Sequence, residues 1–218
     1  MNVAELGPVM KSLVRAIETH PDAGWIDATS DGQLNSKRWL IERLGENGRF
    51  LGSILVVGGW VGVLPLFLLT QLPNLCRRVA TIDIDVDSAR AADVLLRKFV
   101  MDDLRAFSGL ADAFELNYTE ARFDRIREDG TRRPVRFRPD TIITTSWEHL
   151  SDPSAWFALI PEGKLVCIQA NTAPELNGHI SCPSDLTDLE NATPFSERLC
   201  LEEQTFGFYR RLMTIGVK

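Results

Sequence analysis

The chain has 218 residues, 44% hydrophobic and 25% charged, a composition that fits one α/β domain with a full core and excludes wholesale disorder. Its 24 basic and 30 acidic residues leave a net charge of −6, which argues against a surface built to wrap a long polyanion. Four scattered cysteines (Cys76, Cys167, Cys182 and Cys200) form no CxxC pair, so a disulfide framework or structural zinc is not expected and a reducing, cytoplasmic setting is.

The first residues carry Glu5 early and no basic leader before an apolar run, so no signal peptide is expected. Residues 3–19 have helical apolar spacing, interrupted by Gly7-Pro8, and 20–35 are turn-rich. Ser36 is placed to cap a helix over 36–46, with Trp39, Leu40, Ile41 and Leu44 on its buried face. Ser53 to Leu72 runs 20 residues without a charge, long enough to cross a bilayer. Gly58, Gly59, Gly62 and Pro65 divide it, however, into a buried strand at 54–57, a glycine turn and a helix over 61–72. No membrane association is expected.

A second strand is predicted over 78–85, then a helix over 87–103 capped by Asp87 or Ser88, then a third strand near 114–116. The charged stretch 121–140 contains Asp129-Gly130, a hairpin signal. Strand patterns follow at 141–145 and 164–170, flanking a short helix over 153–160. Two last strands, 198–204 and 208–217, are separated by Thr205-Phe206-Gly207. This alternation predicts one α/β domain over 1–218, a doubly wound, mostly parallel sheet with an antiparallel C-terminal hairpin and helices on both faces.

ILVVGGWVG (54–62) carries the most information. A buried strand enters a glycine turn and a helix leaves it, and ligands in open α/β sheets sit at such strand ends. The helix start offers unpaired N–H groups to an anionic group. Asp83 follows Gly62 at a spacing that suits an acid on ribose hydroxyls. NAD and S-adenosylmethionine both fit this geometry. The dinucleotide fingerprint G-x-G-x-x-G lacks its first glycine, which is Val57 here.

From about residue 50 onward the chain resembles the class I, seven-stranded S-adenosylmethionine-dependent methyltransferases. VVGGWVG resembles their first motif, with Gly58 and Gly62 at glycine positions, Gly59 and Trp60 inside the turn, and Val56 where the family has an acid. Trp60 stands in the place of the middle glycine. The resemblance implies seven strands, S-adenosylmethionine as cofactor and residues 1–50 as a helical cap over its site. TIDID would place Asp83 on the ribose, with Ile84 beside it. LADAFEL would place Asp112 at the adenine amino group and Ala113 against the ring. In TTSWEHL, Thr145 and Ser146 would border the cofactor, and Glu148 or His149 would orient or deprotonate the acceptor. Gln33 or Lys37, ahead of the first strand, would meet the cofactor's carboxylate. A fainter similarity, in VGGWVGVLPL, is to nicotianamine-synthase-like enzymes, which transfer an aminocarboxypropyl group instead.

Asn171 ends the QAN strand on the ligand side, and His179 and Cys182 follow in a loop. With Glu148 and His149 they make only a weak metal pattern, so no metal is expected. Arg122, Arg125, Arg127, Arg132, Arg133, Arg136 and Arg138 face only Asp124, Glu128 and Asp129 in their segment. Nucleic-acid contact there is open but not favoured, since few aromatics interleave. Four readings follow: a methyltransferase, an aminocarboxypropyl transferase, a non-catalytic member that binds a nucleoside or a partner and, last, a nicotinamide-dependent reductase. Neither the acceptor, small molecule or macromolecule, nor an oligomeric state follows from the sequence.

Overall fold

Alternating apolar residues of one strand divide the core in two. The computed structural model describes residues 3–218. Strand β1 (Gly52–Val57) is buried along its whole length. Successive side chains of a strand point to opposite faces. Ile54 and Val56 therefore join one layer with Trp39, Leu40, Leu64 and Leu68, while Leu55 and Val57 join the other with Trp147, Trp156 and Phe157.

Three helices precede that strand: α1 (Val3–Thr19), α2 (Trp25–Ala28) and α3 (Asp31–Asn47). After it come α4 (Val63–Gln71), β2 (Cys76–Asp83), α5 (Val86–Leu95), α6 (Arg97–Met101) and β3 (Ala106–Leu110). An antiparallel hairpin follows, β4 (Ala121–Ile126) and β5 (Arg132–Phe137), then β6 (Thr141–Thr144), α7 (Pro153–Leu159), β7 (Leu165–Asn171) and α8 (Leu186–Ala192). The final pair is β8 (Glu197–Phe206) and β9 (Tyr209–Val217).

The sheet runs β5-β4-β3-β2-β1-β6-β7-β9-β8. The five strands β3, β2, β1, β6 and β7 are parallel, and β9 lies antiparallel between β7 and β8. The seven expected strands are thus present in a doubly wound order, and the β4–β5 hairpin extends them to nine. Its turn closes at Gly130, whose N–H donates to the Arg127 carbonyl. Strand order reverses between β1 and β6, so the loops beyond their carboxyl ends diverge and leave a crevice.

Several boundaries differ from the sequence reading for local reasons. Helix α3 starts at Asp31 because Ser30 is its cap, accepting the Gln33 N–H, and Ser36 lies buried inside it. Helix α5 is capped by Asp85, which accepts the N–H groups of Asp87 and Ser88. The third strand is 106–110, not 114–116. Ser108-Gly109 reads as a turn in sequence, but Gly109 is in the strand because the Phe123 ring covers it, 2.3 Å from where a Cβ would stand. Residues 113–115 instead form one 3-10 turn, started by Asp112 accepting the Phe114 N–H. Helix α8 had no clear periodic signal. Among the described residues no helix is long and apolar enough to cross a membrane; 53–72 is strand, turn and α4.

Candidate functional site

The crevice at the strand-order reversal is a cavity of about 780 Å³, within the ordinary size range for a small-molecule site. Its back wall is the turn after β1. Gly58 and Trp60 both have left-handed backbone, φ +64° and +48°. For tryptophan that conformation costs about 1–2 kcal/mol. The Trp60 N–H donates to Asp83 Oδ2 at 2.9 Å, which holds it there. Its ring turns toward Gly24 and packs with the cluster that joins α1 and α2 to α5, leaving the cavity open. Gly59 has no room for a side chain, since a Cβ would stand 1.7 Å from Thr81 Oγ1. Gly62 stands behind the wall and does not line the cavity. It precedes α4 with φ +85° and packs on Ala92.

Asp83 lines the cavity at the end of β2. Its Oδ1 accepts the Asp85 N–H at 3.0 Å and its Oδ2 the Trp60 N–H, so each oxygen keeps one acceptor site. Burial pushes its pKa up, and those N–H bonds pull against that rise. Ile84, 73% exposed, forms the rim beside it. Asp112 and buried Ala113 line the wall beyond β3, with Phe114 next to them. Thr145 and Ser146 follow β6, and Ser146 Oγ donates to the Gly58 carbonyl at 3.0 Å, tying the two loops together.

Helix α3 brings Gln33 and Lys37 to the opposite side. Lys37 is 6% exposed, and its ammonium donates to Gln33 Oε1 at 2.6 Å. Burial foremost, then the Arg211 charge, lowers its pKa to about 7 against the opposing pull of Asp27 and Glu148.

Glu148 and His149 sit on a 3-10 turn, Trp147–His149. Glu148 is 2% exposed. Its Oε1 accepts the Asn171 Nδ2–H at 2.9 Å and lies 3.9 Å from Arg211 Nη1. Its Oε2 has no partner, nor do the Nε and Nη1 of Arg211. His149 is exposed, and its Nδ1 lies 2.9 Å from the Gly178 carbonyl. The cavity thus gathers the residues singled out in sequence, His179 included, except Gly62, Asn171 and Cys182, and adds Asp27 and Phe114. Arg211, under Glu148, was passed over as an ordinary strand residue. The available signal was Arg211, the second of two adjacent arginines, next to Leu212 where the strand turns mostly apolar.

The arginine-rich segment lies elsewhere, on the β4–β5 edge. Arg122 and Arg138 pair with Glu120, and Arg125 with Asp93.

No family model matches the sequence, and no curated protein matches it. Solved structures do match. The N-methyltransferase NodS from Bradyrhizobium japonicum WM9, in complex with S-adenosyl-L-homocysteine, superposes with a TM-score of 0.61 at 12% identity, over 95% of this chain and 98% of its own. Magnesium protoporphyrin IX methyltransferase (ChlM) from Synechocystis PCC 6803 with bound SAM gives 0.59 at 13% identity, over 94% and 97%. An S-adenosylmethionine-dependent methyltransferase from Clostridium acetobutylicum ATCC 824 gives 0.56 at 15% identity, over 91% and 96%. The chain has the fold of the class I S-adenosylmethionine-dependent methyltransferases.

Proposed function

We propose that the protein is an S-adenosylmethionine-dependent methyltransferase. One observation carries this reading: the cavity opens where strand order reverses, with the Gly58–Trp60 turn and the Asp83 carboxylate on one wall. The structural neighbours, crystallised with S-adenosylmethionine or its product, support it.

The residues present fit such a cofactor. Asp83 keeps an acceptor site on each oxygen for ribose hydroxyls, with Ile84 over the sugar. Asp112 and Ala113 take the adenine. The Gly58–Trp60 turn and Thr145 and Ser146 take the amino-acid portion, whose carboxylate meets Lys37 and Gln33. When bound, the cofactor supplies a methyl carbon made electrophilic by its sulfonium. The chain's own work is to align an acceptor with that carbon and exclude water, which can contribute about 7–11 kcal/mol at best. Glu148 and His149 face the acceptor side, where the free Glu148 Oε2 can hold a proton or a polar group.

The open cavity favours catalysis over the non-catalytic reading, which requires an occluded site. The acceptor is a small molecule or a macromolecule. Nucleic acid is not favoured, because several arginines of the β4–β5 edge are already paired with acids. Four free thiols among the described residues support a reducing, cytoplasmic setting.

Calorimetric titration with S-adenosylhomocysteine tests the reading. The wild type is expected to bind, and Asp83→Ala to lose at least about tenfold in affinity, as for an unpaired buried polar contact. No binding at millimolar ligand ends the proposal. Once turnover is found, the by-product separates the two transferase chemistries: S-adenosylhomocysteine for methyl, methylthioadenosine for aminocarboxypropyl.

A further inference from the structure

Spacing in the sequence argued against a metal, but the fold supplies what spacing lacks. One ligand atom each from Glu148, His149 and His179 lie within 4.8 Å of one another, all three residues lining the cavity. We infer that Glu148, His149 and His179 form a binding site for a divalent first-row transition cation.

The hydrogen bonds around the trio point the same way. His149 Nδ1 lies 2.9 Å from the Gly178 carbonyl, and His179 Nδ1 lies 2.9 Å from the Ala173 carbonyl. A carbonyl oxygen only accepts, so both Nδ1 atoms carry the proton. That leaves the Nε2 of each ring as the atom to bind a metal, the arrangement seen where a second partner orients a metal-ligating imidazole. The rings meet edge to face, 4.8 Å between centroids.

Glu148 adds the anionic donor. Its side-chain partners, Asn171 and Arg211, both lie on Oε1, and Oε2 is buried with no partner. An unpaired buried carboxylate oxygen is costly unless something compensates it. A cation held also by two imidazoles is such a compensation.

The loop is built to deliver His179. The Glu148 carbonyl accepts the N–H groups of Ile180 and Ser181, and the His179 N–H donates to the Leu176 carbonyl. Gly178 between them has left-handed backbone, φ +79°, which only glycine adopts freely. These bonds fold 172–182 back over Glu148 and set the two rings side by side.

Two imidazoles and a carboxylate suit zinc, iron, cobalt or nickel better than magnesium or calcium. The Arg211 charge, 3.9 Å from Oε1, opposes the cation and limits its affinity. Three protein donors leave coordination positions open to the cavity. That an acceptor oxygen or nitrogen occupies one of them rests on the methyltransferase reading; the binding of the cation does not.

The test uses the full chain freed of metal by chelation. Cobalt(II) is titrated by its visible absorption and zinc by calorimetry. One equivalent per chain is expected. His179→Ala and Glu148→Gln should each weaken binding by at least about tenfold. His20→Gln, at the remaining histidine of three, should not. Should a variant fail to fold, manganese(II) added to the wild type should broaden the ring resonances of His149 and His179 and spare His20. No saturable binding, binding unchanged in His179→Ala, or broadening that spreads equally to His20 overturns the site. S-adenosylhomocysteine titrated into the same samples keeps the readings apart. Metal binding without nucleoside binding sinks only the transferase, and the reverse sinks only the cation site.

Discussion

Lys37 shows how one residue couples the site to stability. Burial holds its ammonium near neutrality, at a pKa of about 7, while an unfolded chain keeps the proton to near 10.5. Between those values unfolding takes up a proton, so this residue makes stability rise with pH, and below about 7 its penalty is present in full. The Cys76 thiol, pushed by burial to about 12, and Cys167, Cys200 and Tyr118, also pushed up, act in the opposite sense once the unfolded groups ionise. The lysine's rise is therefore read between about pH 7 and 8.5. Lys37→Met should abolish that rise and stabilise the chain at pH 7 by on the order of a few kcal/mol, measured by urea unfolding at both ends of the window. Lys37 and Gln33 were legible because they precede the first strand. Arg211 and Asp27 were not, because their meaning depends on which distant strand or helix packs over them. His179 could be grouped with Glu148 and His149 from the sequence, but only as a weak pattern, since a helix and a β-strand separate it from them in the chain.

At the scale of elements, caps decide what periodicity leaves vague. Apolar spacing placed β1, β6 and β7 because they are buried along their length and bounded by turns. It misplaced helix starts. Ser36 and Asp87 looked like caps, while Ser30 and Asp85 hold the orphan N–H groups. Asp85 also accepts the Ser88 hydroxyl and gives its own N–H to Asp83. Removing its side chain loosens the helix start and leaves the backbone N–H that it gives to Asp83 in place. Asp85→Ala is expected to cost about 1 kcal/mol in denaturant unfolding, typical of a lost N-cap. A midpoint equal to the wild type would show that the cap bears no load. The third strand escaped because Ser108-Gly109 carries turn chemistry in sequence. The Phe123 ring and the Asp124 carbonyl across the sheet explain the glycine.

For the whole molecule, the α1–α3 segment and the sheet share the site. Trp60 packs on the α1 and α2 side, and α3 contributes Lys37 to the cavity. Ligand binding should therefore protect α3 as well as the loops after β1 and β2. Hydrogen exchange with and without S-adenosylhomocysteine checks this: slowed exchange over residues 33–47 is expected, and protection confined to the strand ends would separate the cap from the site. The two flanks of the sheet were unequally legible. The terminal hairpin announces itself by two strand patterns around Gly207, whereas in the β4–β5 hairpin only the Asp129-Gly130 turn stood out from a run of charge. That charge has its own consequence. Strand β5 is an outer strand, and along it Arg132, Arg133 and Arg136 are exposed around Pro134, which has no N–H to offer. Two copies meeting there across a two-fold axis would set guanidinium against guanidinium, so this rim resists fusing into a continuous intermolecular sheet.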